Sequence, residues 1–263
     1  MRRRRGGAPL PLALLAALGI AFFLLPLAGL LVRAPWGDAI SELIAPETLD
    51  ALRLSVFASL AATALSLLLG VPMAWIYART HFPGRTLLRA LTTLPMVLPP
   101  VVGGIALLLA FGRRGLLGSW LESALGITIP FTTAGVVMAE TFVSMPFLVL
   151  TVEAGLRSMD TRYEEAARAL GAGRWTVLRR ITLPLIAPSL MAGAVLCWAR
   201  ALGEFGATIT FAGNFPGRTQ TMPLAVYLLL QTRPEASYVL SLVLLAVSLT
   251  VLVGLRDRWL GSA

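Results

Sequence analysis

Arg200 and Glu204 stand four residues apart in an otherwise apolar run, and Glu140 stands alone in the middle of another. At that spacing on a helix a guanidinium and a carboxylate can pair. The pair is either a helix-end ion pair or a gate element in which Glu204 keeps Arg200 aimed. A lone carboxyl in an apolar segment is costly unless it faces protein or water. Glu140 is therefore protonated, hydrogen-bonded to another helix or exposed to a pathway, and a structural polar contact is the expectation. A membrane hydrolase built on Glu140 and Glu204 is the remaining enzymatic reading and is set aside in favour of a non-catalytic one.

Other chemistries are excluded by what the chain lacks. All 22 basic residues are Arg. A P-loop needs a Lys on the phosphates, so any ATP hydrolysis must come from a separate subunit. The single histidine, His81, lies between Arg79 and Arg85 after an apolar run. Neither a Ser-His-Asp arrangement nor a His-rich metal site can be built from it, and a hydrogen-bonded loop histidine is expected. Cys197, also alone, lies in an apolar run and reads as a small buried hydrophobe.

These residues must be positioned by membrane helices. The mean hydropathy is +0.81 with only 13% charged residues, against about a quarter charged in soluble domains. Six windows are apolar enough to span, at about 10–32, 54–78, 88–111, 132–151, 182–203 and 237–255. The expectation is one all-α polytopic membrane domain over residues 1–263. The first window follows Met-Arg-Arg-Arg-Arg, like a signal peptide, but exceeds the roughly 7 to 15 residues of a signal core and reads as a retained helix. Pro95, Pro99 and Pro100 should kink or break the third window. Residues 223–231 are apolar but too short to cross.

An even number of spans puts both termini on one side, and arginine usage selects the cytoplasm. Arg2 to Arg5, Arg79, Arg85, Arg89, Arg157, Arg162, Arg168, Arg174, Arg179, Arg180, Arg256 and Arg258 then fall inside. The first external loop holds Asp38, Glu42, Glu47 and Asp50. Basic residues dispersed between apolar runs form no patch for nucleic acid.

The largest cytoplasmic loop, 158–180, is built as two short helices. Thr161-Arg162-Tyr163-Glu164 has capping-box spacing. Ala166, Ala167, Ala169 and Leu170 favour helix, Gly171 or Gly173 can end it, and a second helix begins near Arg174. Small alanines beside Arg162, Glu165 and Arg168 suit docking against another protein; lying on headgroups is the other reading.

Glu165-Ala166-Ala167, then Gly171, Ile181 and Leu183-Pro184 resemble the EAA loop of ABC-importer permeases at each marked position. In that family the loop forms a coupling helix in a cleft on a cytoplasmic ATPase. Residues 199–231, above all Leu-Gly-Glu-Phe-Gly-Ala-Thr-Ile-Thr-Phe-Ala-Gly-Asn at 202–214, resemble molybdate permeases, with sulfate permeases next. The resemblance implies a type I importer fold of six helices per subunit and a homodimer around one path. It also implies a cytoplasmic ATPase dimer that holds ATP and magnesium, an external or periplasmic molybdate-binding protein, and residence in a bacterial or archaeal cell membrane among lipid. No cofactor is expected on this chain. The ATPase-coupling residues would be Glu164, Glu165, Ala166, Ala167, Arg168 and Gly171.

For a tetrahedral dianion, backbone N–H groups, hydroxyls and one Arg are suitable lining. Arg200, Gly203, Glu204, Gly206, Thr208, Thr210, Gly213 and Asn214 cluster where the fifth window ends. Glycines there also suit close helix packing. Tungstate, sulfate or thiosulfate transport, and an ATP-independent channel or carrier, are the alternatives.

Overall fold

The computed structural model describes residues 9–260, with side chains through 251 and that of Val253. Arg2 to Arg5, on which part of the orientation rests, lie outside the described residues. Every regular element among the described residues is helical. In chain order these are α1 (Leu10–Arg33), α2 (Ala39–Ile44), α3 (Pro46–Arg79), α4 (Arg85–Thr93), α5 (Pro100–Phe111), α6 (Gly118–Leu125) and α7 (Thr133–Ser158). After them come α8 (Arg162–Ala169), α9 (Arg174–Val177), α10 (Leu183–Leu185), α11 (Ala187–Leu202), α12 (Gly206–Phe211), α13 (Met222–Thr232) and α14 (Pro234–Leu260).

Among the described residues four helices are long and apolar enough to cross a membrane: α1, α3, α7 and the Pro234–Val251 part of α14. The third and fifth expected spans are not single helices. Arg85–Met96 and Pro100–Phe111 meet at 118°, and Arg174–Leu185 and Ala187–Leu202 at 70°. Proline causes both breaks. A residue preceding proline is pushed out of the helical region, and Pro99, which precedes Pro100, is extended at φ −54, ψ 130. In the fifth span Pro188 sits near the start of α11, where its missing N–H is tolerated, and Ile186 leaves helical geometry at φ −92, ψ 3. The third span thus breaks, one of the two outcomes expected of its prolines, while the fifth, expected as one span over 182–203, is corrected to a bent pair.

The core is α3 against α7, with α11 packed on both. Their close approach follows from a stripe of small buried residues on α3: Ser55, Ala58, Ser59, Ala62, Thr63, Ser66, Gly70 and Ala74 recur at three- and four-residue intervals. A Cβ at Gly70 would stand 3.1 Å from both Leu148 and Val149 of α7. The opposite helix surfaces expose Leu, Phe and Val in number, as lipid requires. α1 is the extreme case, with no buried residue and its main packing against α14. α3 begins at Pro46, well before the expected residue 54, and α13 matches the short apolar segment at 223–231.

Candidate functional site

The docking loop is two short helices, as its composition implies, but the first begins differently. Thr161 makes no side-chain cap. Asp160 accepts the Arg162 N–H at 2.9 Å instead, so the expected capping box does not form. Glu164 has better partners elsewhere. Its side chain is 7% exposed and accepts the Thr182 hydroxyl at 2.7 Å. It also pairs with Arg79 at 3.5 Å and Arg168 at 3.3 Å. Glu164 is therefore the root of α8 and not part of its outer face.

Gly171 ends α8 with φ +83, the left-handed geometry that favours glycine. Its N–H bonds to Arg168 O at 2.9 Å, and that of Ala172 to Ala167 O at 3.0 Å. This is a Schellman motif. Of the two glycines offered by the sequence, Gly171 does the work, while Gly173 keeps a negative φ of −66. Glu165, Ala166 and Arg168 are exposed, and Ala167 is half-buried. Beside them project Tyr163, Leu170 at 89% exposed and Trp175 at 71%. Sequence reasoning missed these three, although a tryptophan in a charged, membrane-flanking loop is a readable signal.

A second buried carboxylate, also missed, lies one helix away. Glu153 of α7, 1% exposed, pairs with Arg157 at 2.7 Å and with Arg89 of α4 at 2.9 Å. Arg157 donates onward to Tyr77 O at 3.2 Å, and the Tyr77 hydroxyl lies 2.8 Å from Thr92 Oγ1. The Glu153–Arg157 spacing of four was the available clue. Together, Glu153 and Glu164 lock α3, α4, α7 and α8 at one end of the bundle.

At the other end of α11, Arg200 and Glu204 pair at 2.6 Å, with side chains 27% and 1% exposed. Glu204 Oε1 also accepts the Ala207 N–H at 2.8 Å. The carboxylate thereby caps α12 while holding the guanidinium, favourable near the positive end of a helix. Glu140 is fully buried, within electrostatic reach of Glu204. Its Oε2 has no hydrogen-bond partner among the described residues, so the expected polar contact is not seen at that oxygen.

The other predicted residues around α12 divide. Gly203 is exposed, with only Ala199 O, at 3.7 Å, near a hypothetical Cβ. Gly206 is pressed against α5, where a Cβ would stand 2.8 Å from Pro100 Cβ. Thr210 packs on Gly104 of α5 and returns its hydroxyl to Gly206 O at 2.8 Å. Thr208 is buried and Asn214 half-buried, and Thr208 Oγ1 and Asn214 Oδ1 lack partners. Gly213, at φ +76, is enclosed by Phe131 and Phe215. These two rings edge a cavity of about 710 Å³ that also takes in Arg113 and Arg218, a feature the sequence did not suggest.

His81 Nδ1 lies 3.1 Å from Arg85 Nη1, in keeping with a hydrogen-bonded loop histidine. Cys197 is buried, its thiol 3.3 Å from Ser144 Oγ, as expected of a small core group.

With this geometry in view, the comparisons with known proteins agree. A family model described as binding-protein-dependent transport system inner membrane component matches residues 66–262. The molybdenum transport system permease protein of Mycobacterium tuberculosis is 49% identical over 245 residues, covering 92% of each chain. The sulfate transport system permease protein CysT of Escherichia coli K12 is 38% identical over 238 residues, covering 89% of this chain and 85% of that protein. A bacterial ABC transporter that imports the acidic polysaccharide alginate has the same fold, with a TM-score of 0.72 at 19% identity and coverage of 95% of this chain and 93% of that one. The chain belongs to the family of binding-protein-dependent transport system inner membrane components.

Proposed function

We propose that this chain is the membrane permease subunit of an ATP-driven importer of molybdate, with tungstate as an equivalent cargo. The observation that carries the reading is the 49% identity to a molybdenum permease against 38% to a sulfate permease, each over most of the chain. The whole chain acts as one permease domain of six crossings, the two bent helix pairs counting as one crossing each, with both termini in the cytoplasm. Two copies surround one path. An external binding protein delivers the anion, and two cytoplasmic ATPases hold ATP and magnesium.

In this reading the surface formed by Glu165, Ala166, Ala167, Arg168 and Gly171 sits on an ATPase, with Leu170 and Trp175 removed from water by it. An ATP-independent carrier would leave those two side chains exposed, which favours the ATP-driven machine. When ATP closes the ATPases, α8 is displaced. Glu164 carries that displacement to Arg79 on α3 and to Thr182 below α11. At the external end, Arg200, held by Glu204, presents a positive charge beside the open backbone at Gly203. A dianion is attracted there weakly enough to leave.

The test is uptake of labelled molybdate at submicromolar concentration by cells lacking and then regaining the chain, with excess sulfate as competitor. Chain-dependent uptake that survives sulfate is expected. Uptake abolished by sulfate, with sulfate itself carried, would reassign the chain to sulfate or thiosulfate.

A further inference from the structure

α4 is an unusual element in a membrane protein. It bends 118° away from α5, so it lies nearer to the membrane plane than to the direction of α5. Leu87, Leu88, Leu91 and Leu94 are exposed along one side. Arg85, Arg89 and Thr92 run along another at intervals of four and three. This is the division of an interfacial amphipathic helix.

At its start lies an open pocket of about 240 Å³ lined by His81, Phe82, Arg85, Thr86 and Arg89. Its lining is rich in hydrogen-bond donors. Arg85 Nη1 donates to Thr80 O at 2.9 Å and lies 3.1 Å from His81 Nδ1. Because a guanidinium only donates, Nδ1 accepts, and the imidazole proton sits on Nε2. Arg89 uses Nε on Glu153, which leaves its two terminal nitrogens free to point elsewhere. Arg85 Nε and Nη2 and the Thr86 hydroxyl take no partner among the described residues. No carboxylate lines the pocket.

We propose that this pocket binds the phosphate of an anionic phospholipid, with the acyl chains lying over the leucines of α4. Bidentate guanidinium donors, an imidazole N–H and a hydroxyl match a tetrahedral phosphate oxyanion. Charge alone would suit a free oxyanion equally. The four adjoining leucines do not: they are the apolar surface that a lipid tail covers and an inorganic ion leaves wet. A headgroup held here fixes α4, and through Arg89 and Glu153 the end of α7.

Native mass spectrometry of the purified full chain, offered equal phosphatidylglycerol and phosphatidylcholine of the same acyl chains, tests this. Preferential retention of phosphatidylglycerol is expected, falling about fivefold in Arg85→Gln, the effect of one basic group near an anionic surface. Arg85 also bonds the turn at Thr80, so Thr86→Val serves as a second variant that touches only the pocket, and it should weaken retention in the same direction. Arg113→Gln, in the distant cavity, should leave retention unchanged. Equal retention of the two lipids, or a preference unaltered by both pocket variants, overturns the proposal. So does displacement of phosphatidylglycerol by millimolar orthophosphate, which would make a free oxyanion the occupant.

Discussion

The Thr182 hydroxyl donates to Glu164 Oε1 at 2.7 Å, joining the docking helix α8 to the chain segment that leads into α11. Arg79, at the end of α3, reaches the same oxygen at 3.5 Å. One buried carboxylate thus gathers three elements, its farthest partner lying 85 residues away in the chain.

Removing that carboxylate strands Arg79, whose side chain is only 15% exposed. Breaking such a buried pair from one side costs about 3 kcal/mol. Glu164→Ala should lower the melting temperature of the purified chain and reduce ATPase copurification. Glu164→Gln, which can still accept from Thr182, should fall between native and Ala. Equal behaviour of Gln and Ala would show that the hydroxyl bond contributes nothing.

Gly171 tests conformation apart from space. Nothing lies within 4 Å of a Cβ there, yet φ is +83. A side chain in the left-handed region costs roughly 1–2 kcal/mol, least for Asn. Retained coupling, read as molybdate carried per ATP hydrolysed, should follow Gly, then Asn, Ala and Val. Loss that follows side-chain size, with Asn worse than Ala, would point to a steric cause instead.

Gly104 and Gly203 make the opposite comparison. A Cβ on Gly104 would lie 2.6 Å from Thr210 Cβ and 2.9 Å from Ala207 O. Wedging α5 from α12 should cost about 2 kcal/mol. Gly104→Ala should therefore melt earlier, while Gly203→Ala should melt like the native chain. Reduced uptake by Gly203→Ala at unchanged stability would mark Gly203 as lining the path.

Arg200→Gln leaves Glu204 buried without its cation, so a simple loss of uptake would be ambiguous. Adding Glu204→Gln removes the stranded charge. The double variant should regain stability while uptake stays about tenfold below native, the effect of losing a charge-assisted contact to the anion. Recovery of both would make the pair purely structural.

Much of this arrangement is visible in one dimension because it is local. The apolar run that became α1 begins at the expected residue, and the docking loop follows from alanine propensity and Gly171. What escaped depends on distant partners. Glu164 stands three residues after Thr161, so a capping box was the economical reading, but Arg79 and Thr182 compete for it and win. Glu153 looked like the end of an apolar run because Arg89 arrives from 64 residues away. The early start of α3 was hidden because residues 46–53 are polar in part. They are helical because Ser55 Oγ accepts the Met222 N–H at 2.7 Å and Ala51 packs in a cluster with Met222 and Leu240. By contrast, the break at Ile186 was readable from Pro188, which has no N–H to give the Pro184 carbonyl and whose ring crowds it.

The break before Pro100 leaves α5 only 12 residues long, a rise of about 18 Å, against roughly 30 Å of hydrocarbon. On the six-crossing reading, the third crossing is regular helix over little more than half of that depth. A transmembrane voltage falls mainly across the dry part of a path, so if α5 borders that part the potential is concentrated over this short stretch. An entering dianion meets an inside-negative voltage at about 4.6 kcal/mol per 100 mV. On that reading the work is done beside α5, the helix clasped to α12 by Gly104 and Gly206.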